Sequence, residues 1–217
     1  MKKHIVCFGD SNTHGCCADP ADCADGGRRF NEEERWTCLL QKALGEEYLV
    51  LEEGMGGRTC VFEDPTYEGR CGIESIVTTM ETHKPVDLLI LMLGTNDCKE
   101  RFSADAFTIS MGLELLIEKA KSVDCWAGGT PNILVIAPPP IREEMLTSDM
   151  AESMGAGAIE KSRGLARKFA FVSVSAGCRF LDARGIAEMN PVDGMHLTAR
   201  GHQALAETLA QLVPTLL

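Results

Sequence analysis

Short apolar runs recur along the chain and alternate with longer stretches in which apolar and polar residues mix. Two of the runs, residues 87–93 and 133–137, are almost continuously apolar. Such runs are typical of strands that are buried on both faces of a parallel sheet. The pattern predicts five short strands, at residues 4–8, 48–51, 86–93, 132–137 and 169–174.

Three longer stretches carry apolar residues every three or four positions, the spacing of one face of a helix. We predict helices over residues 33–44, 103–122 and 198–212. Ser103 and Asp105 are candidate N-cap residues for the second of them. The three apolar stripes are Trp36, Leu39, Leu40 and Ala43; Phe107, Met111, Leu115 and Ala120; and Leu205, Leu209 and Leu212.

The alternation of strands and helices predicts one α/β domain, residues 1–217, with helices on both faces of a parallel sheet. In such sheets a ligand binds beyond the carboxyl ends of the strands. The loop after the fourth predicted strand, Pro138-Pro139-Pro140, offers no N–H donors. The loops after the first three are rich in small and hydrogen-bonding residues: Gly9-Asp10-Ser11, residues 54–59 and Gly94-Thr95-Asn96-Asp97.

The charge balance narrows the choice of partners. The chain has 21 Lys and Arg against 32 Asp and Glu, a net charge of −11, and such a surface repels nucleic acid and anionic lipid. We therefore expect a small-molecule substrate and neither a nucleic-acid nor a membrane partner. The apolar stretch at residues 5–8 is shorter than a secretory segment requires, and no window has the length of a membrane span. We expect a cytoplasmic protein.

Ten cysteines raise the question of disulfides and metal sites. They form no CxxC pair and no Cys/His cluster at zinc spacing. We expect reduced thiols that pack as small apolar side chains, and no metal site. Cys16 and Cys17 lie near the candidate nucleophile and are the pair in which oxidation would matter most.

A serine, a histidine and an aspartate carry the first candidate chemistry. Ser11 follows the first predicted strand, where a turn can expose its hydroxyl at the sheet edge, and Asp193 precedes His196 by three residues. A carboxylate that holds Nδ1 of the histidine leaves Nε2 free to take the proton of a serine hydroxyl. Each feature alone is also compatible with a turn or a helix cap; their joint occurrence favours acyl transfer.

Acyl transfer also requires hydrogen-bond donors for an oxyanion. Gly57 lacks a Cβ, so a substrate oxygen can approach its N–H, and Asn96 offers a side-chain amide. The N–H of Ser11 is the third candidate donor. Asp10 and Asp97 are interpreted as residues that fix the loops of Ser11 and Asn96. The remaining histidines are interpreted as structural or surface residues, with one at the pocket mouth (His14): His4, His14, His83 and His202.

Four motifs in order along residues 8–198 make the chain resemble the SGNH (GDSL-like) serine hydrolases. They are residues 8–15, Gly57-Arg58-Thr59, Gly94-Thr95-Asn96-Asp97 and residues 193–198. The resemblance implies a three-layer α/β/α, flavodoxin-like sandwich with five parallel strands in the order 2-1-3-4-5. It also implies ester hydrolysis without a metal or organic cofactor. The implied catalytic residues are Ser11, Asp193 and His196, and the implied oxyanion hole is formed by Ser11, Gly57 and Asn96.

Within this family, Arg35-Trp36-Thr37, Glu52-Glu53-Gly54 and residues 91–97 are most similar to arylesterase and acyltransferase members. This closer resemblance implies small, acetyl-like acyl esters, acyl transfer to alcohols as a side activity, and a homo-oligomer. Asn12 departs from the transferase relatives, which tend to be apolar there. Carbohydrate O-deacetylation is the alternative within enzymes. A non-catalytic flavodoxin-like module that binds a flavin phosphate is the alternative of another class, although the aspartates after the first strand disfavour phosphate.

A long connection, residues 141–157, follows the three prolines and contains three methionines and two glycines. Methionine-rich segments adapt their shape to a bound molecule. We predict that it covers the pocket or forms a subunit contact, with an ordinary crossover as the alternative. Four aromatic residues are predicted to pack in the core or an interface: Trp36, Phe62, Trp126 and Phe180.

Overall fold

The structure, a computed structural model, describes all 217 residues. A sheet of five strands lies at its centre, and every neighbouring pair of strands is parallel. The strand order is 2-1-3-4-5, which confirms the order that the family resemblance implied. The strands are β1 (Lys3–Gly9), β2 (Tyr48–Gly54), β3 (Leu88–Met92), β4 (Ile133–Ala137) and β5 (Arg179–Asp182).

Seven α-helices surround the sheet, which makes the fold the expected three-layer α/β/α sandwich. They are α1 (Ser11–His14), α2 (Trp36–Leu44), α3 (Gly72–Thr82), α4 (Ala106–Lys121), α5 (Ala151–Met154), α6 (Gly157–Ser175) and α7 (Ala199–Leu212). Helix α2 packs against α7, and α4 packs against both α3 and α6. Short 3₁₀ helices cover Asn96–Cys98, Glu100–Phe102, Glu143–Thr147 and Val213–Thr215. None of the helices is long and apolar enough to cross a bilayer.

The sequence pattern explains the central strands and the helix starts. Every residue of β3 and β4 is buried, as expected for strands that are covered by helices on both faces. Asp105 caps α4 by accepting a 2.7 Å hydrogen bond from the N–H of Thr108. Thr198 caps α7 through the N–H of Gly201 at 2.9 Å. Such caps satisfy donors that the first turn of a helix leaves free.

The prediction of a strand at residues 169–174 is wrong. These residues form the last turns of α6, and the fifth strand is β5, ten residues further on. Phe169 and Val172 are buried while Phe171 and Val174 are 74% and 71% exposed, which is helical spacing. A short run of aromatic and β-branched residues resembles a strand when it is considered alone. The helical spacing becomes clear only when the residues before it, from position 157 onward, are included.

The predicted helix at residues 103–122 is present as α4, but most of its predicted stripe faces solvent. Phe107 is 55%, Met111 38% and Leu115 59% exposed, and only Ala120 of that stripe is buried. The helix carries a second apolar stripe, and this one packs on the core. Its members are Ile109, Leu113, Leu116, Ile117 and Ala120.

The four predicted packing aromatics all contact the core. Trp36 is fully buried, and Phe62, Trp126 and Phe180 are partly buried against it. The indole N–H of Trp36 donates to the carbonyl oxygen of Asn12 at 3.1 Å. Trp36 therefore joins α2 to the first turn after β1, where the candidate nucleophile lies.

Candidate active site

Ser11 is the first residue of the short helix α1, directly beyond the carboxyl end of β1. Asp10 caps this helix by accepting a 3.0 Å hydrogen bond from the N–H of Asn12. Helix α1 lies immediately on the end of β2, because a Cβ placed on Gly54 would come within 2.2 Å of the backbone nitrogen of His14. Only glycine at position 54 leaves room for the helix that carries Ser11.

A chain of hydrogen bonds joins the three candidate catalytic side chains. Nε2 of His196 lies 3.0 Å from Oγ of Ser11, and Nδ1 of His196 lies 2.5 Å from Oδ2 of Asp193. The two partners of His196 thus occupy opposite sides of its ring. This arrangement fixes the tautomer in which Nδ1 carries a proton and Nε2 can accept one from the serine.

Asp193 is held in its charged form. Burial by itself would raise the pKa of this carboxyl, but the hydrogen bond and charge of His196 bring the pKa below its ordinary value. Oδ1 also accepts hydrogen bonds from the N–H groups of Met195 and His196, both at 3.0 Å. The carboxylate therefore orients the imidazole and the backbone turn that carries it.

Asn12 is a site residue whose role the sequence analysis missed. Its Nδ2 donates to the carbonyl oxygen of Met195 at 3.1 Å, and its Oδ1 accepts from the N–H of Leu197 at 2.9 Å. One amide thus holds the residues on both sides of His196 and ties them to α1. The departure of Asn12 from the transferase resemblance was the only signal of this bridge in the sequence.

The three candidate oxyanion donors follow three neighbouring strands. Ser11 begins the helix after β1, Gly57 lies in the loop after β2, and Asn96 lies after β3. Gly57 has a φ of 84°, which favours glycine, and its N–H makes no hydrogen bond within the protein. The N–H of Ser11 begins a helix, where no intrahelical acceptor exists. Nδ2 of Asn96 donates to the carbonyl oxygen of Arg58 at 3.1 Å, so it is held against the loop of Gly57.

Asp10 and Asp97 lie beneath these loops and are fully buried. Burial raises the pKa of Asp10 to about 6 and that of Asp97 to about 7. Oδ1 of Asp97 accepts a 2.8 Å hydrogen bond from the N–H of Cys60, which joins the loop after β3 to the loop after β2. These contacts fit the interpretation that both carboxyls fix the loops rather than react.

Arg58 is a buried cation that supports the loop of Gly57. Its guanidinium carbon lies 4.0 Å from the ring centre of Phe8, and Nη1 donates to the carbonyl oxygens of Gly9, at 2.9 Å, and Glu53. Burial lowers the pKa of Arg58 to about 10. The arginine therefore joins the ends of β1 and β2 from below.

A cavity of about 590 Å³ opens above Ser11, His196, Gly57 and Asn96, and we refer to it as the active-site cavity. Residues of the 141–157 connection form part of its wall, and His14 also lines it. A larger cavity of about 1080 Å³ lies elsewhere and contains none of the candidate catalytic residues. Further lining residues are Cys16, Met150, Ser153 and Met154.

All ten cysteines are free. Cys16 lines the active-site cavity, and burial raises the pKa of its thiol to about 11, so its reactive thiolate form is scarce at neutral pH. The Cys17 sulfur is engaged with the carbonyl oxygen of Asp19 at 2.9 Å. No group of three or more His, Cys, Asp or Glu side chains is arranged to hold a metal ion.

The chain is similar to known proteins along nearly its whole length. The model of the GDSL-like lipase/acylhydrolase family matches residues 7–204. An aryl esterase from M. smegmatis is 33% identical, with a TM-score of 0.89 over 99% of this chain and 100% of that one. A carbohydrate acetylesterase family member from Sinorhizobium meliloti is 34% identical, with a TM-score of 0.86 over 99% and 98%. No curated protein matches the chain.

Proposed function

The chain belongs to the GDSL-like lipase/acylhydrolase family and is a carboxylic ester hydrolase, and from this premise we propose that it is a serine esterase for small, acetyl-like acyl esters. The observation that carries the proposal is the unbroken hydrogen-bonded chain from Asp193 through His196 to the hydroxyl of Ser11. A serine in such a chain is the nucleophile of a two-step acyl transfer.

In the first step, Nε2 of His196 takes the proton of Ser11 while Oγ bonds to the carbonyl carbon of the ester. The carbonyl electrons move to oxygen, and the N–H groups of Ser11 and Gly57 and the amide of Asn96 stabilise the oxyanion. The bond to the alcohol oxygen then breaks, and His196 gives its proton to the departing alcohol. Asp193 stabilises the imidazolium formed in between.

In the second step, water attacks the acyl group on Ser11. His196 takes a proton from the water and returns it to Oγ as the acid leaves, so that ester and water become acid and alcohol. An added alcohol in place of water yields a new ester, which is the acyl-transfer side activity that we propose. These steps use no metal and no organic cofactor.

Deacetylation of a carbohydrate is the second candidate function. Its support is the likeness to the Sinorhizobium meliloti carbohydrate acetylesterase family member and to a second carbohydrate acetylesterase from that organism at 31% identity. Both functions use the same acyl-enzyme and differ in the alcohol. We compare kcat/KM, divided by the rate constant of hydroxide-catalysed hydrolysis of the same ester, for phenyl acetate and for an acetylated sugar. The ester with the higher ratio identifies the alcohol class, because the ratio corrects for the better leaving group of the phenyl ester.

The nucleophile is tested by p-nitrophenyl acetate hydrolysis. We expect Ser11→Ala to lower kcat by about 10⁶-fold, with the fold retained by circular dichroism. Ser122→Ala, which removes an exposed hydroxyl at the end of α4, is the matched control and should retain activity. Substantial activity in Ser11→Ala would refute the proposed nucleophile.

The acyl preference is tested by a panel of p-nitrophenyl esters of increasing chain length, run with and without a competing alcohol. Acetate should be the best acyl group, and the alcohol should divert part of the acyl-enzyme to a new ester. A clear preference for chains beyond about eight carbons would contradict the small acyl group, since the acyl part would then have to fill most of the cavity.

We also propose that the protein forms a homo-oligomer through the exposed face of α4 and α6. Leu115 and Phe171 are 59% and 74% exposed there, and Glu114 lies in the same surface cavity as Arg167. In a two-fold pairing of this face, Glu114 of one copy can meet Arg167 of the other. The test is the mass in sedimentation: Leu115→Glu should dissociate the assembly, while Leu146→Glu, an exposed apolar residue outside this face, should not.

We further propose a cytoplasmic location and small-molecule substrates only. Ten free cysteines fit a reducing compartment, and a net charge of −11 disfavours nucleic acid and anionic membranes. Fractionation of cells that produce the full chain tests the location. Recovery of the protein with the membrane or outside the cytoplasm would contradict it.

A further inference from the structure

The active-site cavity has a charge opposite to that of the protein. The chain carries a net charge of −11, yet no Asp or Glu lines this cavity, and Arg70 and Lys99 do. By contrast, the cavity between α2 and α7 is lined by several carboxylates, among them Glu33 and Glu34. The excess of positive charge is therefore a local feature of the cavity above Ser11.

Arg70 is the cation of this cavity that has no partner. Its side chain takes part in no ion pair and no hydrogen bond, and its Nε is buried without an acceptor. Lys99 differs, because its Nζ lies 2.7 Å from a carboxylate oxygen of Asp64. A buried guanidinium nitrogen without an acceptor is costly unless a ligand supplies one.

Contacts with the protein nevertheless fix where Arg70 lies. Its guanidinium carbon is 5.1 Å from the ring centre of Tyr67, and Nζ of Lys99 is 5.9 Å from the same ring. A Cβ placed on Gly57 would lie 3.7 Å from Cγ of Arg70. Arg70 thus lies beside Gly57, and both residues line the active-site cavity.

The part of the cavity wall around Arg70 contains no carboxylate. Burial is the main cause of the lowered pKa of Arg58; Glu53 and Asp10 oppose it, and the nearby charge of Arg70 adds to it. Asp64 is a single carboxylate shared by Lys99 and Arg101. The acidic residue nearest in sequence, Glu68, is exposed and makes no ion pair with Arg70. An anion beside Arg70 meets two cations of the cavity wall, Arg70 and Lys99, and no carboxylate of that wall.

We propose that Arg70 binds a carboxylate carried by the alcohol part of the substrate ester. The inference rests on the proposed esterase function with its acetyl-sized acyl group, because most of the 590 Å³ cavity is then left to the alcohol. The planar guanidinium forms paired, charge-assisted hydrogen bonds to a carboxylate. Lys99 lies near the same tyrosine ring, but its charge is paired with Asp64, so Arg70 is the cation that is free to bind the carboxylate. Arg70 is a specificity-determining residue that acts mainly on KM.

The experiment compares two acetyl esters of the same size, 4-acetoxybenzoate and the neutral 4-acetoxybenzamide. The wild type should favour the carboxylate by about tenfold or more in kcat/KM, mainly through a lower KM, and added salt should weaken this preference. Arg70→Gln should abolish the preference, and Arg70→Lys should retain part of it. Arg179→Gln, which removes an exposed arginine at the amino end of β5, is the matched control and should keep the full preference.

The outcomes separate this inference from the proposed function. If both esters are hydrolysed in a Ser11-dependent manner but the wild type shows no preference for the carboxylate, the inference is wrong and the esterase function stands. A preference that survives Arg70→Gln also overturns it. If neither ester is hydrolysed, or if Ser11→Ala retains activity on them, the proposed function itself fails. The salt dependence of the wild type serves as the test if Arg70→Gln does not fold.

Discussion

Asn12 donates a 3.1 Å hydrogen bond from its side-chain amide to the carbonyl oxygen of Met195, the residue before His196. The same amide accepts a hydrogen bond from the N–H of Leu197, the residue after it. Asn12 and Ser11 both belong to α1, so the position of His196 relative to Ser11 depends on the hydrogen bonds of Asn12. The bridge thus joins the loop of the proposed base to the helix of the proposed nucleophile.

Replacing Asn12 should weaken catalysis more than binding. In Asn12→Leu, the carbonyl of Met195 and the N–H of Leu197 lose their buried partner, so His196 is less well placed for proton transfer. We expect kcat for p-nitrophenyl acetate to fall by roughly 10–100-fold with little change in KM, measured by steady-state kinetics. Asn12→Asp keeps the acceptor for Leu197 and should lose less. An unchanged kcat in Asn12→Leu would show that the loop holds His196 without this bridge.

Replacing Asn96 should remove one donor to the oxyanion. We expect Asn96→Ala to lower kcat by about 10²–10³-fold while KM changes little. Asn132→Ala is the matched control, because that amide also donates to backbone carbonyls, those of Asp87 and Leu216, but lies away from the cavity. It should lower the melting temperature and leave kcat near that of the wild type. Equal effects of the two variants on kcat would argue against a role of Asn96 in the reaction.

The ion pair of Asp64 and Lys99 should contribute strongly to stability. The side chain of Asp64 is fully buried, and that of Lys99 is 6% exposed. Asp64→Asn leaves the buried ammonium of Lys99 and the partly exposed guanidinium of Arg101 without their counterion. We expect the free energy of unfolding, measured by urea denaturation, to fall by about 3 kcal/mol. Removing both charges in Asp64→Asn with Lys99→Met should recover part of the loss. A double variant that is less stable than Asp64→Asn would contradict this account.

Asp97 should make the protein less stable as the pH rises. Burial raises the pKa of this carboxyl in the folded protein from 3.8 to about 7. The folded protein therefore holds a proton that the unfolded chain has released, and this stabilising contribution is complete below pH 3.8 and lost as the pH approaches 7. Relative to the wild type, Asp97→Asn should gain on the order of 2 kcal/mol between pH 5 and pH 8.

The measurement is urea denaturation of both proteins at the two pH values. His202 has the opposite effect on the pH dependence of stability, because burial lowers its pKa to about 3. Its stabilising contribution to folding is therefore lost as the pH falls below 6.5, the ordinary pKa of histidine. Because both proteins contain His202, its effect cancels in the difference. Asp149→Asn, which changes an exposed carboxyl, is the control and should follow the wild type. If the difference in free energy of unfolding between Asp97→Asn and the wild type is the same at both pH values, the pKa of Asp97 is not raised in the folded protein.

The sequence predicted those parts of the fold that local pattern determines. Strands β3 and β4 were found because continuous apolar runs report burial on both faces, and α7 because its stripe is regular. Strand β5 was missed because it is an edge strand of four residues, Arg179–Asp182, with two apolar side chains. Its neighbour α6 was mistaken for it, since the end of that helix is rich in phenylalanine and valine.

The candidate site shows a similar limit. Ser11, Asp193 and His196 could be selected because their spacing and order carry a recognisable chemistry. The bridge of Asn12 could not, because it joins residues that are 183 and 185 positions apart in sequence. The lack of a counterion for Arg70 also could not be predicted from the sequence. Whether an arginine has a counterion depends on tertiary packing, and no pattern along the chain reports it.

Two kinds of chain segment line the active-site cavity: the loops that carry the candidate catalytic residues, and the 141–157 connection. This separation matters for engineering the enzyme. The wall that contains Met150, Ser153 and Met154 comes from a connection that supplies none of the reacting groups, and its first turn is attached to the loop of His196 through Arg142 and Gly194. Substitutions at positions 150 and 153 therefore change the cavity wall and leave the candidate catalytic residues in place. A library of variants at these two positions is a small and direct way to search for altered substrate preference.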